Sequence, residues 1–112
     1  MAEFVYLYRR SVNQPFTPQE MQERLQRWQA WFKDLESKGH LANIGLPLAG
    51  TGGVVKDRKG SFHDGPYAET KDVVMGYSLI AAESLEQARS LATGCPIFDQ
   101  GGVVEIRPVM KM

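Results

Sequence analysis

The chain has 112 residues, the size of one domain around one core, and its 13 Lys+Arg balance 13 Asp+Glu at a pI near 6.7. A balanced charge sets up no field to gather phosphates or anionic lipid, so neither nucleic acid nor a membrane is an expected partner. One cysteine excludes an internal disulfide, and no signal-peptide pattern or bilayer-length apolar run is present, so the expected location is the cytoplasm.

Phe4-Val5-Tyr6-Leu7-Tyr8 alternates aromatic and aliphatic residues at the period of two that a strand imposes, so both of its faces are apolar. Such a strand needs a cover on each side. Helices supply one, and a second sheet, a partner subunit or a ligand supplies the other.

Thr17-Pro18-Gln19-Glu20 is a capping box with proline at the first helical position. Met21, Leu25, Trp28, Phe32 and Leu35 then recur at helical spacing until Gly39, which predicts a helix over about residues 18 to 38. In this stripe Trp28 faces the core and lines any pocket beside it. His40 follows the helix stop, where an imidazole serves the last carbonyls.

Leu41 to Ala49 reads as an edge strand because Pro47 lacks a ladder donor. Gly50-Thr51-Gly52-Gly53 and Lys59-Gly60 are the turns of a hairpin insert, and the Gly run lacks the Lys-Ser/Thr ending and following helix of a phosphate loop. Val73 to Ala82 is apolar at nearly every position, as a central strand covered on both sides would be. Ser84-Leu85-Glu86-Gln87 opens a second helix that runs to about residue 93, and Val103 to Val109 forms the last strand. Cys95, with no histidine near it in sequence, is read as an unreactive thiol.

This order gives one domain over residues 1 to 112. Its class is α+β, a ferredoxin-like split βαβ with a β-hairpin insert, and both helices lie on one face of a four-stranded antiparallel sheet. The expectation is that Phe4, Tyr6 and Tyr8 line the other, uncovered face, where two sheets meet in a homodimer that closes a dimeric α+β barrel.

Potential chemistry concentrates in His63-Asp64-Gly65-Pro66-Tyr67-Ala68-Glu69-Thr70-Lys71-Asp72, just before the central strand. Two readings stand side by side. In one, Asp64 shapes a turn ahead of Gly65-Pro66, and Glu69 and Lys71 form a solvent-facing pair. In the other, Asp64 and Glu69 point into a cleft between the sheet and the hairpin insert. There Tyr6, Trp28 and Tyr67 exclude water and raise a carboxyl pKa into the range of proton transfer, with His63 beside the site and Lys71 holding an anionic substrate group. A metal site from His63, Asp64, Glu69 and His40 lacks any recognised ligand spacing, so no metal and no cofactor are assigned.

The run Asp64 to Asp72, with Gly76-Tyr77-x-Leu79-Ile80, Ser84-Leu85-x-x-Ala88, Cys95-Pro96 and Val104-Glu105-Ile106-Arg107-Pro108-Val109, resembles the DGPF (DGPFAETKE) branch of the YCII-related proteins over nearly the whole chain. The resemblance implies the dimeric ferredoxin-like barrel. For function it implies a small-molecule pocket, because relatives in the wider family are implicated in dehydrochlorination of aromatic intermediates, and others occur alongside sigma factors of the extracytoplasmic type. The YCII branch proper, as distinct from the DGPF branch, usually carries a histidine at the position of Trp28 and an aspartate where this chain has Leu48-Ala49-Gly50-Thr51, so that His-Asp pair does not transfer. The expected function is acid/base, lyase- or isomerase-like chemistry by Asp64 and Glu69 on a small organic substrate. The alternative is a non-enzymatic binding or regulatory module associated with sigma-factor-type control.

Overall fold

The computed structural model of the chain describes residues 1–12, 16–66 and 72–111. Strand β1 (Ala2–Arg10) lies in the middle of a four-stranded sheet of order β2-β5-β1-β6, with β2 (Leu41–Asn43), β5 (Val73–Ala82) and β6 (Val103–Pro108). Every pairing is antiparallel. Strands β3 (Gly53–Val55) and β4 (Phe62–Asp64) form a separate two-stranded hairpin. This is the α+β class read from the sequence.

Helix α1 (Pro18–Ser37) begins at Thr17, whose side-chain oxygen accepts the Glu20 N–H at 3.1 Å. Helix α2 (Leu85–Ala92) begins at Ser84, which accepts the Gln87 N–H at 3.1 Å, while the Gln87 amide oxygen reaches back to the Glu83 N–H at 2.7 Å. Both helices cover the same face of the sheet. Tyr6 touches each of them, stacking on Trp31 of α1 with centroids 6.2 Å apart and donating its hydroxyl proton to the Ala88 carbonyl of α2.

The period of two in β1 therefore resolves opposite to the expectation. Phe4, Tyr6 and Tyr8 lie under the helices, all nearly or fully buried. Their cross-strand partners Ile80, Ser78 and Gly76 share that covered face. The physical reason is size: aromatic side chains bury the most area, and among the described residues the helix layer is the only cover the sheet has. Val5 and Leu7 occupy the open face beside Leu79 and Tyr77. Arg9, Glu105 and Arg107 flank them, with Arg9 and Glu105 paired at 3.2 Å.

Three further expectations change. The edge strand is short, spanning only Leu41–Asn43, after which Pro47 touches Gly76 through one isolated bridge. In α1 the buried positions are Trp31 and Leu35, whereas Met21 and Leu25 are exposed because that part of the stripe overhangs a cavity. His40 is structural, but its imidazole turns to β5 and not to the last carbonyls of α1, which only its backbone serves. Its backbone N–H bonds the Leu35 carbonyl at 2.9 Å, and its Nδ1 donates to the Ala81 carbonyl at 2.8 Å, which fixes the tautomer. No helix among the described residues is long and apolar enough to cross a membrane.

Candidate functional site

A cavity of about 650 Å³ opens between α1 and the covered face of the sheet. That is ample for a substituted one- or two-ring molecule. Trp28 and Phe32 of α1, with centroids 5.6 Å apart, form one wall, and Tyr8 meets Trp28 edge-on at 4.8 Å to form the floor. Ile44 to Pro47 form the opposite wall.

That wall is held against β5 by specific contacts. Ser78 donates its hydroxyl to the Ile44 carbonyl at 2.6 Å, and Leu48 N–H bonds the Met75 carbonyl at 2.8 Å. Gly45 has φ 72°, and a Cβ there would fall 1.8 Å from the Tyr77 carbonyl oxygen, so only glycine permits this approach. The β1–β5 register shifts after Tyr8, whose partner is Gly76, to Arg9, whose partner is Val74. This bulge leaves Met75 without a partner on β1, and both Met75 and Gly76 line the cavity.

The cavity is mostly apolar, with the amides of Gln22, Gln29 and Gln100 along it, and its charged side chains meet where β1 finishes and α1 begins. There Arg10, Phe16 and Arg24 meet, with the guanidinium carbons 5.3 Å and 3.8 Å from the Phe16 ring centroid. Burial, and then the neighbouring Arg24 charge, holds the Arg10 pKa below its ordinary value. Burial pushes the Tyr8 phenol well above its ordinary value, so it stays a neutral O–H donor. The Ser78 hydroxyl lies near enough to influence Tyr8 but does not close a good hydrogen bond, and the Tyr8 oxygen is buried without a partner. No Asp, Glu or His lies among the described residues of the lining.

Of the residues expected at a site, Trp28 lines this cavity. Tyr6 does not: it is fully buried in the core, with its hydroxyl committed to α2. His63 and Asp64 sit on the exposed hairpin, paired with Val54 and Gly53, and neither belongs to the cavity lining. The β3–β4 pairing runs one step past Asp64, through Gly65 N–H to the Gly52 carbonyl at 2.7 Å. Tyr67, Glu69 and Lys71 lie outside the described residues. Cys95 is buried and its thiol is pushed up to about 12, chiefly by desolvation, which leaves it protonated and unreactive. Among the described residues no cluster of three or more His, Cys, Asp or Glu could hold a metal ion.

Tyr8, Arg10 and Arg24 were not singled out from sequence, yet a signal for them existed. Arg10 continues the covered face of β1 after Phe4, Tyr6 and Tyr8, and Arg24 interrupts the apolar stripe between Met21 and Trp28. A cation inside an apolar period is out of place on a face that packs, and it marks a face that binds.

Fold and cavity together define a small α+β domain with a mostly apolar cavity between helix and sheet. The chain belongs to the family of the YCII-related domain, whose family model matches residues 3–112. It is similar in structure to 5-chloro-2-hydroxyhydroquinone dehydrochlorinase (TftG) from Burkholderia phenoliruptrix AC1100, solved in complex with 2,5-dihydroxybenzoquinone. That likeness has a TM-score of 0.52 at 19% identity, covering 100% of this chain and 96% of the other. No curated protein matches the chain significantly.

Proposed function

We propose that the chain binds a small ring-bearing organic molecule between α1 and the sheet and performs lyase-like acid/base chemistry on it. The observation that carries this reading is the cavity of about 650 Å³ walled by Trp28, Phe32 and Tyr8, with its polar groups confined to a few positions. A flat ring stacks against such walls and leaves one edge for polar contacts. Tyr8, kept neutral by burial, donates a hydrogen bond to a substrate oxygen and stabilises negative charge as it develops there. The similarity in fold to a dehydrochlorinase solved with 2,5-dihydroxybenzoquinone supports a hydroxylated ring as substrate and elimination as reaction class. Asp64, on the hairpin outside the described lining, and Glu69, outside the described residues, are the carboxylates assigned to proton transfer in this reading.

The test uses 2,5-dihydroxybenzoquinone as ligand and 5-chloro-2-hydroxyhydroquinone as substrate probe. Binding at a hundredfold excess over Kd is expected to stabilise the fold by about 2.7 kcal/mol, read as a rise in Tm. Chloride release is expected to fall by about 10²-fold or more in Asp64→Asn and Glu69→Gln. Unchanged turnover in both variants removes these carboxylates from the mechanism. One observation favours a second reading, a non-enzymatic binding or regulatory module: the described lining has two guanidiniums and no carboxylate or imidazole. Ligand binding with no chloride release selects that reading.

The same proposal includes a homodimer. Val5, Leu7 and Leu79 are half-buried and Tyr77 is exposed, all on the sheet face that no helix covers. Charged Arg9, Glu105 and Arg107 form the rim, the pattern of an apolar centre with a polar border. Sedimentation at micromolar concentration is expected to give twice the 12.5 kDa chain mass, and a monomer there overturns the dimer.

A further inference from the structure

Resting on the reading of this cavity as a ring-binding site, we infer that Arg10 and Arg24 form its anion-recognition end, and that the molecule it takes is a planar aromatic bearing a carboxylate or an ionised ring oxygen. Two like charges on one phenyl ring repel each other, and bringing them together costs free energy unless an anion joins them. No ion pair found between described residues supplies that anion. The ion pairs among the described residues are Arg9–Glu105, Arg107–Glu105, Arg27–Asp99 and Lys38–Asp34, and none involves Arg10 or Arg24. Arg10 spends one donor on the carbonyl of its own neighbour Ser11 at 3.1 Å. Arg24 is more telling, because its Nη1 is buried with no hydrogen-bond partner. A buried, charged donor without an acceptor is a costly arrangement that a ligand oxygen would relieve.

The acids nearest α1's outer surface do not take this role. Glu20 and Glu23 line a separate small hollow with Arg24, Arg27 and Asp99, where Arg27 pairs with Asp99 at 3.3 Å and the Glu20 carboxylate accepts from Thr17 at 3.1 Å. Arg10 and Arg24 both border the apolar cavity, Arg24 in addition to that hollow, and low polarity there strengthens any charge-assisted hydrogen bond. Trp28, Phe32, Leu46 and Met75 then demand that the rest of the ligand be flat and apolar. Tyr8 offers the other unpartnered donor, toward a second oxygen on the ring.

The experiment titrates 2-naphthoate and its uncharged counterpart 2-naphthol into the full chain and follows quenching of tryptophan fluorescence, to which Trp28 contributes from the cavity wall. Wild type is expected to bind naphthoate about tenfold or more tightly than naphthol, with the difference shrinking as salt is raised. Arg10→Gln and Arg24→Gln are each expected to abolish most of that preference while leaving naphthol affinity within about twofold, which also shows that the variants fold. Equal affinity for the two ligands, or a preference that survives both substitutions, overturns the anion site while the ring-binding cavity stands. Failure of both ligands to bind wild type overturns the cavity reading and this inference with it.

Discussion

Trp31→Ala is expected to destabilise the fold by about 3–5 kcal/mol, the cost of deleting a buried aromatic, against a total of about 5–15 kcal/mol for a domain of this size. Trp31 is the point where the layers meet. It stacks on Tyr6 at 6.2 Å and meets Tyr8 at 6.1 Å, Trp28 at 5.8 Å and Phe32 at 5.2 Å. Its indole also lies against Gly94 just beyond α2, where a Cβ would come within 3.3 Å of Nε1. Removing it leaves a void bounded by both helices and β1, and rigid ring neighbours cannot collapse into it. Trp28→Ala is the control: that ring is only half-buried and one side of it already faces the cavity, so less packing is lost. Urea unfolding of the two variants measures the difference. A loss under about 1 kcal/mol for Trp31→Ala would place the centre of the core elsewhere.

This asymmetry between the two tryptophans marks where sequence reasoning reached and where it stopped. Thr17-Pro18-Gln19-Glu20 and Ser84-Leu85-Glu86-Gln87 located both helix starts because capping is local chemistry, complete within four residues. The antiparallel order followed from connection rules that depend only on element sequence. Which face of β1 went inward was not legible, since Phe4-Tyr6-Tyr8 and Val5-Leu7 are both apolar and a period of two does not say which is covered. The stripe Met21, Leu25, Trp28 and Phe32 was legible as apolar, but whether it met solid core or an overhung cavity depended on how far residues 44 to 47 stand off the sheet. The candidate site suffered most. Asp64 drew notice through its motif, whereas Arg10 and Arg24 lie 14 positions apart on different elements and converge only through Phe16.

Stability is expected to hold to about pH 8 and then fall steeply from pH 9 upward, because three acids are buried in their neutral forms. Desolvation, with a smaller contribution from the Asp99 charge, raises the Cys95 thiol from 9.0 to about 12. Burial also lifts Tyr6 and Tyr8 far above the usual phenol value of 10.0. Above pH 9 the unfolded chain releases the thiol proton and the folded chain keeps it, so the native state binds more protons and stability drops as pH rises. The contribution is fully present below the unfolded pKa and is lost between it and about 12. At pH 10.5 the thiol alone accounts for about 2 kcal/mol of loss, and the two phenols add to this from about a pH unit higher than the thiol begins. Urea melts at pH 8 and pH 10.5 measure the fall. Cys95→Ala is expected to start from a lower stability but decline less between the two pH values, and an equal decline in variant and wild type would exclude the thiol as a source. Tyr8 ties this behaviour to the cavity: its phenol ionises only where the fold itself is failing, so the O–H it offers a ligand persists at every pH at which there is a cavity to bind one.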